Sequence, residues 1–373
     1  MTRPIKVMML GLRGFPGVQG GVETHAEHLC PLLAERGCEV TVLARAPYQR
    51  ADTGPLWRGV RFVSLWAPRS KGLEAILHST LGMLYAAVKR PDILHIQAIG
   101  PAIVTLPARL LGLRVVVTHH GPDYDRQKWG RFARFALRAG ERFGMRWSHG
   151  RIVISQVIAD IVRRGHGRDS ALIPNGVRLP ALPAATDRLA PFGLEPGKYV
   201  LLVSRLVPEK RHLDLIAAFV RADLPGWKLA IVGASDHPDD YVREVLAEAA
   251  RAPTVVCTGL QTGEALAQLY GHAGLFVLPS SHEGLPIALL EALSYGLPVL
   301  ASDIPANLAV GLPAEHYFPL GQVDTLAAAL VRAAAVPRTA EAAAARRAWV
   351  GARFDWTVIA ARTVDVYRAA LRR

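Results

Sequence analysis

The segment HEGLPIALLEALSYGLPVLASD (282–303) sets two carboxylates, Glu283 and Glu291, around a helix start with seven residues between them. Gly284, Leu285 and Pro286 suit the entry to a helix, Ile287, Leu290 and Ser294 continue along it, and Gly296 ends it. Glu283 then lies in the preceding loop and Glu291 more than a turn inside, roughly 10 Å along the axis at 1.5 Å per residue. An acid and a base that bracket one scissile bond are awkward at that spacing. Two separate hydroxyl-binding tasks suit the pair better, and the free N–H groups of the helix start offer a place for a diphosphate. In SRLVPEK (204–210), Arg205 and Lys210 follow a strand-like run and precede a helix-like one. Two fixed cations at the carboxyl end of a strand can hold a diphosphate without a metal ion. Taken alone, the same two residues read as solvated loop.

A third segment, GLRGFPGVQGGVETHAEHL (11–29), opens a helix near Gly21. Gly11, Gly14, Gly17, Gly20 and Gly21 resemble a phosphate-cradling loop. The spacing is neither GxGxxG nor that of a P-loop, and the second strand ends in Arg45 where a dinucleotide site wants an acid. His25, His28 and Cys30 have the spacing of metal ligands, but an amphipathic helix gives them a simpler role in packing or solvent contact. His95 reads as a strand-end histidine. His282, beside Glu283, serves either the loop or a ligand.

Short aliphatic runs position these residues: 7–12, 39–44, 61–66, 92–97, 114–121 and 150–155, each separated by helix-like stretches. This is the βαβ rhythm of a doubly wound parallel sheet. A Pro- and Gly-rich stretch at 174–197 interrupts it, and the rhythm restarts at 198–205, 227–234, 253–260, 274–281 and 297–303. The reading is two Rossmann-like α/β domains, 1–185 and 186–353, facing a central cleft that collects the carboxyl ends of both sheets. Residues 354–373 are expected to form helices returning to the first domain.

With 373 residues, 51% hydrophobic and 20% charged, the chain can bury a large core, which excludes global disorder. Cys30, Cys38 and Cys257 form no CxxC pair and fit a reducing compartment. No run suggests a secretion signal or a membrane span, so a cytoplasmic address is expected. Residues 1–190 carry 27 Lys and Arg against 13 Asp and Glu, and the remainder 17 against 18. The first domain therefore faces something polyanionic. Between Arg126 and Trp147, a helix would put Trp129, Phe132, Ala136, Gly140, Phe143 and Trp147 on one face, expected to pack on the domain. Lys128, Arg131, Arg134, Arg138, Arg142 and Arg146 would form a cationic stripe on the other, with Glu141 the single acid. That stripe suits anionic lipid headgroups or a lipid-diphosphate acceptor. Nucleic acid is disfavoured, because no recognised binding motif accompanies it.

GGVETH, THHG, IPNGV, SRLVPEK and the E-x7-E segment, in this order over nearly the whole chain, resemble the retaining glycosyltransferases of family 4. LRGFPGVQGGVETHAEHL resembles a bacterial subgroup that builds cell-surface polysaccharides. The resemblance implies the GT-B fold and a nucleotide diphosphate sugar as donor, with no metal and no further cofactor. Arg205 and Lys210 match the diphosphate-binding pair, Glu291 the residue on the ribose hydroxyls, and Glu283 the carboxylate at the transferred sugar. Gly284, Leu285 and Pro286 would bring backbone close to the donor, and Gly259 and Leu260 lie where the base is usually held. Gly20 and Gly21 match the loop that closes over the donor, and His120, ending a strand beside Gly121, matches the histidine near the sugar. Family members often carry Glu two residues beyond the asparagine of SDIPAN, whereas this chain has Asn307, Leu308 and Ala309. Asp123–Tyr124–Asp125 mimics the DxD metal motif of a different fold, GT-A, and is misplaced for that role.

The expectation is transfer of a hexose-type sugar, with retention, to a glycan or lipid-linked acceptor. A peripheral position on the inner face of the plasma membrane would follow. The alternatives are a non-catalytic polyanion-binding protein, which leaves the paired glutamates unexplained, and a nicotinamide-dependent oxidoreductase, which lacks its glycine spacing and ribose-binding acid.

Overall fold

A computed structural model of the chain describes residues 3–18, 20–49, 53–68, 73–125, 130–235 and 239–372. The chain divides into two compact units, Met1–Gly176 with Trp356–Arg373, and Val177–Asp355. The division falls earlier than the 185/186 boundary read from the sequence. Val177 donates its N–H to Phe354 O at 2.8 Å and bridges to Asp355, which draws the Pro-rich stretch into the second unit.

Unit 1 carries β1 (Ile5–Leu10), α1 (Gly21–Glu35), β2 (Cys38–Arg45), β3 (Leu56–Trp57), β4 (Val60–Leu65), α2 (Leu73–Lys89), β5 (Ile93–Gln97), α3 (Thr105–Leu110), β6 (Val115–His119), α4 (Arg131–Trp147), β7 (Gly150–Val153), α5 (Gln156–His166) and β8 (Ala171–Leu172). Its sheet runs β3-β4-β2-β1-β5-β6-β7-β8, parallel except for the β3–β4 hairpin. Every residue of β5 and β6 is buried, as a central strand covered on both faces requires. Strand order reverses between β1 and β5, so the loops after these strands open at the switch point where such sheets hold ligands.

Unit 2 repeats the plan with β9 (Tyr199–Val203), α6 (His212–Ala222), β10 (Lys228–Val232), α7 (Asp240–Arg251), β11 (Val255–Gly259), α8 (Gly263–His272), β12 (Leu275–Leu278), α9 (Ile287–Ser294), β13 (Val299–Ser302), α10 (Pro305–Leu308), β14 (Tyr317–Phe318), α11 (Val323–Ala335) and α12 (Ala340–Arg353). Its parallel sheet runs β11-β10-β9-β12-β13-β14, with the switch point between β9 and β12. The last helix, α13 (Trp356–Leu371), belongs to unit 1, where it packs on α1 and β7.

The arginines of α4 are exposed, but the face packed on the domain is not the aromatic one. Phe132 and Phe135 are 79% and 71% exposed, and Trp147 is also outside. Gly140, Glu141, Gly144 and Met145 turn inward instead. A Cβ on Gly140 would stand 2.0 Å from Ile99 O, and one on Gly144 2.9 Å from Ala102 Cβ. The two glycines let the helix backbone touch the layer beneath, and that close approach fixes its rotation. Lys128 and Trp129 lie outside the described residues.

Candidate functional site

In unit 2 the two informative segments flank the switch point. SRLVPEK follows β9, and HEGLP runs from β12 to α9. Ser281 ties them together, donating its N–H to Glu209 O at 2.8 Å. With the loops clamped, Lys210 Nζ donates to Glu283 Oε1, both side chains largely withdrawn from solvent. Beneath them His212 is buried, its Nε2 2.9 Å from Ser204 Oγ. Burial, with Lys210 nearby, pulls its pKa down to about 3, so it stays neutral under the loop. Arg205 is half-buried in the same loop.

Glu291 sits on α9, where Tyr270 of α8 donates its hydroxyl to Oε2 at 3.0 Å. Tyr270 is itself buried and stacks on Tyr295, centroids 5.3 Å apart and planes 8° from parallel. Burial raises the Glu291 carboxyl to about 7, and the Tyr270 hydrogen bond opposes that rise. Pro286 stands at the N-cap of α9, so the first N–H groups of the helix have no intrahelical acceptor. Leu285 and Pro286 are buried and Gly284 is half-buried beside them. Gly259, at φ +70°, ends β11 with open space around it, and Leu260 is exposed. Asn307 is buried and donates through Nδ2 to Ser302 O and Oγ, both at 2.9 Å, which secures the end of β13.

In unit 1 the loop after β1 is held by α1. Glu23 accepts from Arg13 N–H and Glu27 from Gly17 N–H, each at 3.2 Å. Gly20 has φ +156° and a Cβ there would stand 2.1 Å from Glu23 Oε2, so only glycine admits this carboxylate at the helix entry. Gly21 begins α1.

His120 follows β6 and donates Nε2–H to Gln97 Oε1 at 2.7 Å, leaving Nδ1 as an acceptor. Burial, with His95 and His119 adjacent, lowers its pKa to about 3, so the imidazole is neutral. Its ring meets that of His25 edge-on at 4.9 Å. His25 in turn bonds Asn175 Oδ1 through Nδ1 at 2.9 Å. The turn carrying His120 rests on a carboxylate. Gly121 N–H donates to His119 Nδ1 at 3.1 Å, so His119 carries its proton on Nε2, which points at Glu141 Oε2 3.6 Å away. At that distance the N–H faces the carboxylate but is beyond ordinary hydrogen-bond length. Glu141 Oε1 accepts from His166 Nε2 at 2.8 Å. Burial works to raise the Glu141 carboxyl, but His119, His166 and the Tyr124 hydroxyl outweigh it and hold it at about 2.

His95 bonds Tyr367 and Thr118, both at 2.7 Å, and His28 packs on Trp356. Cys30 is a buried core residue. Among the described residues no three His, Cys, Asp or Glu side chains are placed to share a metal ion. Asp123–Asp125 forms a short turn in which Tyr124 lies under Arg138, 5.2 Å from the ring centroid. Gln97, Glu141 and Tyr270 are the partners that sequence reasoning missed. Only Glu141 carried a signal, as the one acid in a basic helix.

Residues 19–179 match the model of Glycosyltransferase Family 4 and residues 190–343 that of Glycosyl transferases group 1. The 2-deoxystreptamine N-acetyl-D-glucosaminyltransferase of Streptomyces fradiae is 30% identical over 324 residues, 78% of this chain and 75% of that one. The chain belongs to glycosyltransferase family 4. A GDP-mannose:cellobiosyl-diphosphopolyprenol alpha-mannosyltransferase of Xanthomonas campestris is 27% identical over 313 residues, 81% of this chain and 80% of that one. Among solved structures, sucrose-phosphate synthase from Thermosynechococcus elongatus superposes on this glycosyltransferase with a TM-score of 0.83 at 23% identity, covering 98% of both chains. Anabaena HepE in complex with UDP-glucose does so at 0.80 and 18%, covering 98% of this chain and all of its own. The fold of the glycosyltransferase is GT-B.

Proposed function

We propose that the enzyme transfers a hexose-type sugar from a nucleotide diphosphate sugar to an acceptor hydroxyl, with retention and without a metal ion. The observation that carries this reading is the Lys210–Glu283 pair on the two switch-point loops of unit 2, with Glu291 inside the adjoining helix. Arg205 and Lys210 take the diphosphate, assisted by the first N–H groups of α9. Negative charge grows on the diphosphate as the glycosidic bond breaks, so cations fixed there stabilise the transition state more than the ground state. Released from Lys210, Glu283 accepts from the sugar, while Glu291 accepts from the ribose hydroxyls. Gly284, Leu285 and Pro286 bring backbone to the donor, and Gly259 and Leu260 border the base. Gly20 and Gly21 form the glycine entry to α1, and neutral His120 offers Nδ1 to a sugar hydroxyl. Front-face displacement, with the leaving phosphate accepting the acceptor's proton, requires no protein nucleophile.

The relatives' names support the substrate class: one carries GDP-mannose and a diphosphopolyprenol in its name, and the HepE structure holds UDP-glucose. A lipid-linked or polysaccharide-precursor glycan is the acceptor class. It would be met at the cytoplasmic face of an anionic membrane through Arg131, Arg134, Arg138, Arg142 and Arg146, all exposed on α4. No helix of the described residues is long and apolar enough to cross a membrane. An oxidoreductase is disfavoured because the end of β2 carries Arg45, committed to Glu74 at 2.7 Å, instead of a ribose-binding acid. Incubating the protein with UDP- and GDP-hexoses, a polyprenyl-diphosphate glycan and excess EDTA tests the reading. It predicts product with the donor's anomeric configuration; an inverted product, or activity only after a divalent metal is restored, contradicts it.

A further inference from the structure

We infer that unit 1 docks on an anionic bilayer through the outer faces of α2 and α4, with aliphatic side chains of α2 entering the lipid. This rests on the peripheral attachment proposed above and supplies its apolar half. Helix α2 is turned inside out. It buries Glu74, His78 and Ser79, together with Gly82, Met83 and Ala86. To solvent it presents Leu77, Leu81, Leu84 and Val88, the last 79% exposed. These four recur at helical spacing, so they form one stripe along the helix. Among the exposed residues from Leu77 to Val88 there is no charge.

Two contacts fix the inward face. Glu74 accepts from buried Arg45, and Gly82 lies so close to Leu10 that a Cβ would stand 2.3 Å from its Cδ1. The leucines have no such partner. Helices α2 and α4 flank Pro101–Leu110 on the same layer. Arg90 bonds Leu111 O at 2.7 Å and Arg109 bonds Trp147 O at 2.9 Å, which knits the ends of α2, α3 and α4 together. Across α3 from α2, α4 exposes Phe132 and Phe135 among Arg131, Arg134 and Arg138. An aliphatic stripe on one helix and aromatics set among arginines on the other match an acyl boundary beneath anionic headgroups. A second copy of the same face is a poorer occupant, because it would bring the α4 arginines of both copies into one interface.

Co-sedimentation with phosphatidylcholine vesicles containing phosphatidylglycerol, at low and high salt, separates the two contributions. Wild-type protein should keep a salt-resistant bound fraction. The double variant Leu81→Ser/Leu84→Ser should lose that fraction by at least fivefold, whereas Arg131→Glu/Arg134→Glu/Arg138→Glu should chiefly lose low-salt binding. All five side chains are exposed, thermal melting of each variant verifies folding, and Arg131→Glu/Arg134→Glu, which leaves the Arg138–Tyr124 contact in place, repeats the charge test. Titration with UDP and GDP on the same variants reports on the transferase reading separately. Vesicle binding by the leucine variant equal to wild type overturns the inference, as does a wild-type dimer that this variant converts to monomer.

Discussion

Lys210 donates a hydrogen bond to Glu283, so the cation suited to a diphosphate and the carboxylate suited to a sugar neutralise one another. A donor must separate or bridge them, and the pair then acts as a built-in competitor for each half of the ligand. Glu283→Gln frees Lys210. UDP or GDP should bind at least as tightly as to wild type, while transfer falls by about 100-fold or more because the sugar contact is lost. Lys210→Ala should weaken nucleotide binding and transfer together. Calorimetry and initial rates on both variants check the split; weaker nucleotide binding in Glu283→Gln would contradict it.

Burial holds Glu291 at about 7, so the carboxylate proposed to accept from ribose hydroxyls forms only as pH rises through that value. Tyr270 from α8 and Tyr295 at the C-terminal end of α9 face it, with Arg347 near Tyr295. Nucleotide affinity should climb roughly tenfold between pH 6 and 8 if only the ionised form binds. Glu291→Gln should bind weakly and without that slope, which separates the carboxyl from titration of the nucleotide's own phosphate. The same raised pKa means the folded state holds a proton that the unfolded chain has released. Its contribution to stability therefore declines as pH rises from the ordinary carboxyl range through about 7.

Much of this site could be read from the sequence because its parts are local. Glu283, Pro286, Glu291 and Gly296 set a loop, a helix start and a helix end within one segment, and Arg205 and Lys210 sit just past a strand. Tyr270 gave no signal, since only the packing of α8 on α9 brings its hydroxyl to Glu291. The inward face of α4 was misread for a related reason. Hydrophobicity favoured the aromatics, whereas close approach at Gly140 and Gly144 decides the rotation. Helix α2 partly inverts the usual pattern, burying Glu74 and His78 while Leu77, Leu81, Leu84 and Val88 face outward. The two-residue strands β3, β8 and β14 are too short to show a period.

The close packing of α4 has a measurable cost. Gly140→Ala places a methyl group against Ile99 O and should destabilise the protein by about 1–3 kcal/mol. Gly165→Ala, in α5 with open space around it, should instead stabilise by up to about 1 kcal/mol. Urea unfolding of the two variants gives opposite signs if helix contact, and not helix propensity, governs Gly140.

Glu141 lies below its ordinary range in the folded protein because His119, His166 and the Tyr124 hydroxyl share it. Its stabilising contribution is complete above the unfolded carboxyl value and is lost as pH falls towards about 2. Glu141→Gln should remove that part of the acid dependence. Glu141→Ala, which strands both histidines, should cost about 3–5 kcal/mol. Acid unfolding curves that coincide for wild type and Glu141→Gln would show that the carboxylate does not support the turn.

In the proposed reaction Arg205 and Lys210 hold a nucleoside diphosphate without a metal. Calorimetric titration of UDP and GDP in excess EDTA tests it most directly. At least one should bind wild-type protein, with Arg205→Ala and Lys210→Ala each at least tenfold weaker. Binding that vanishes in EDTA and returns with magnesium, or that is unchanged in both variants, would contradict the account.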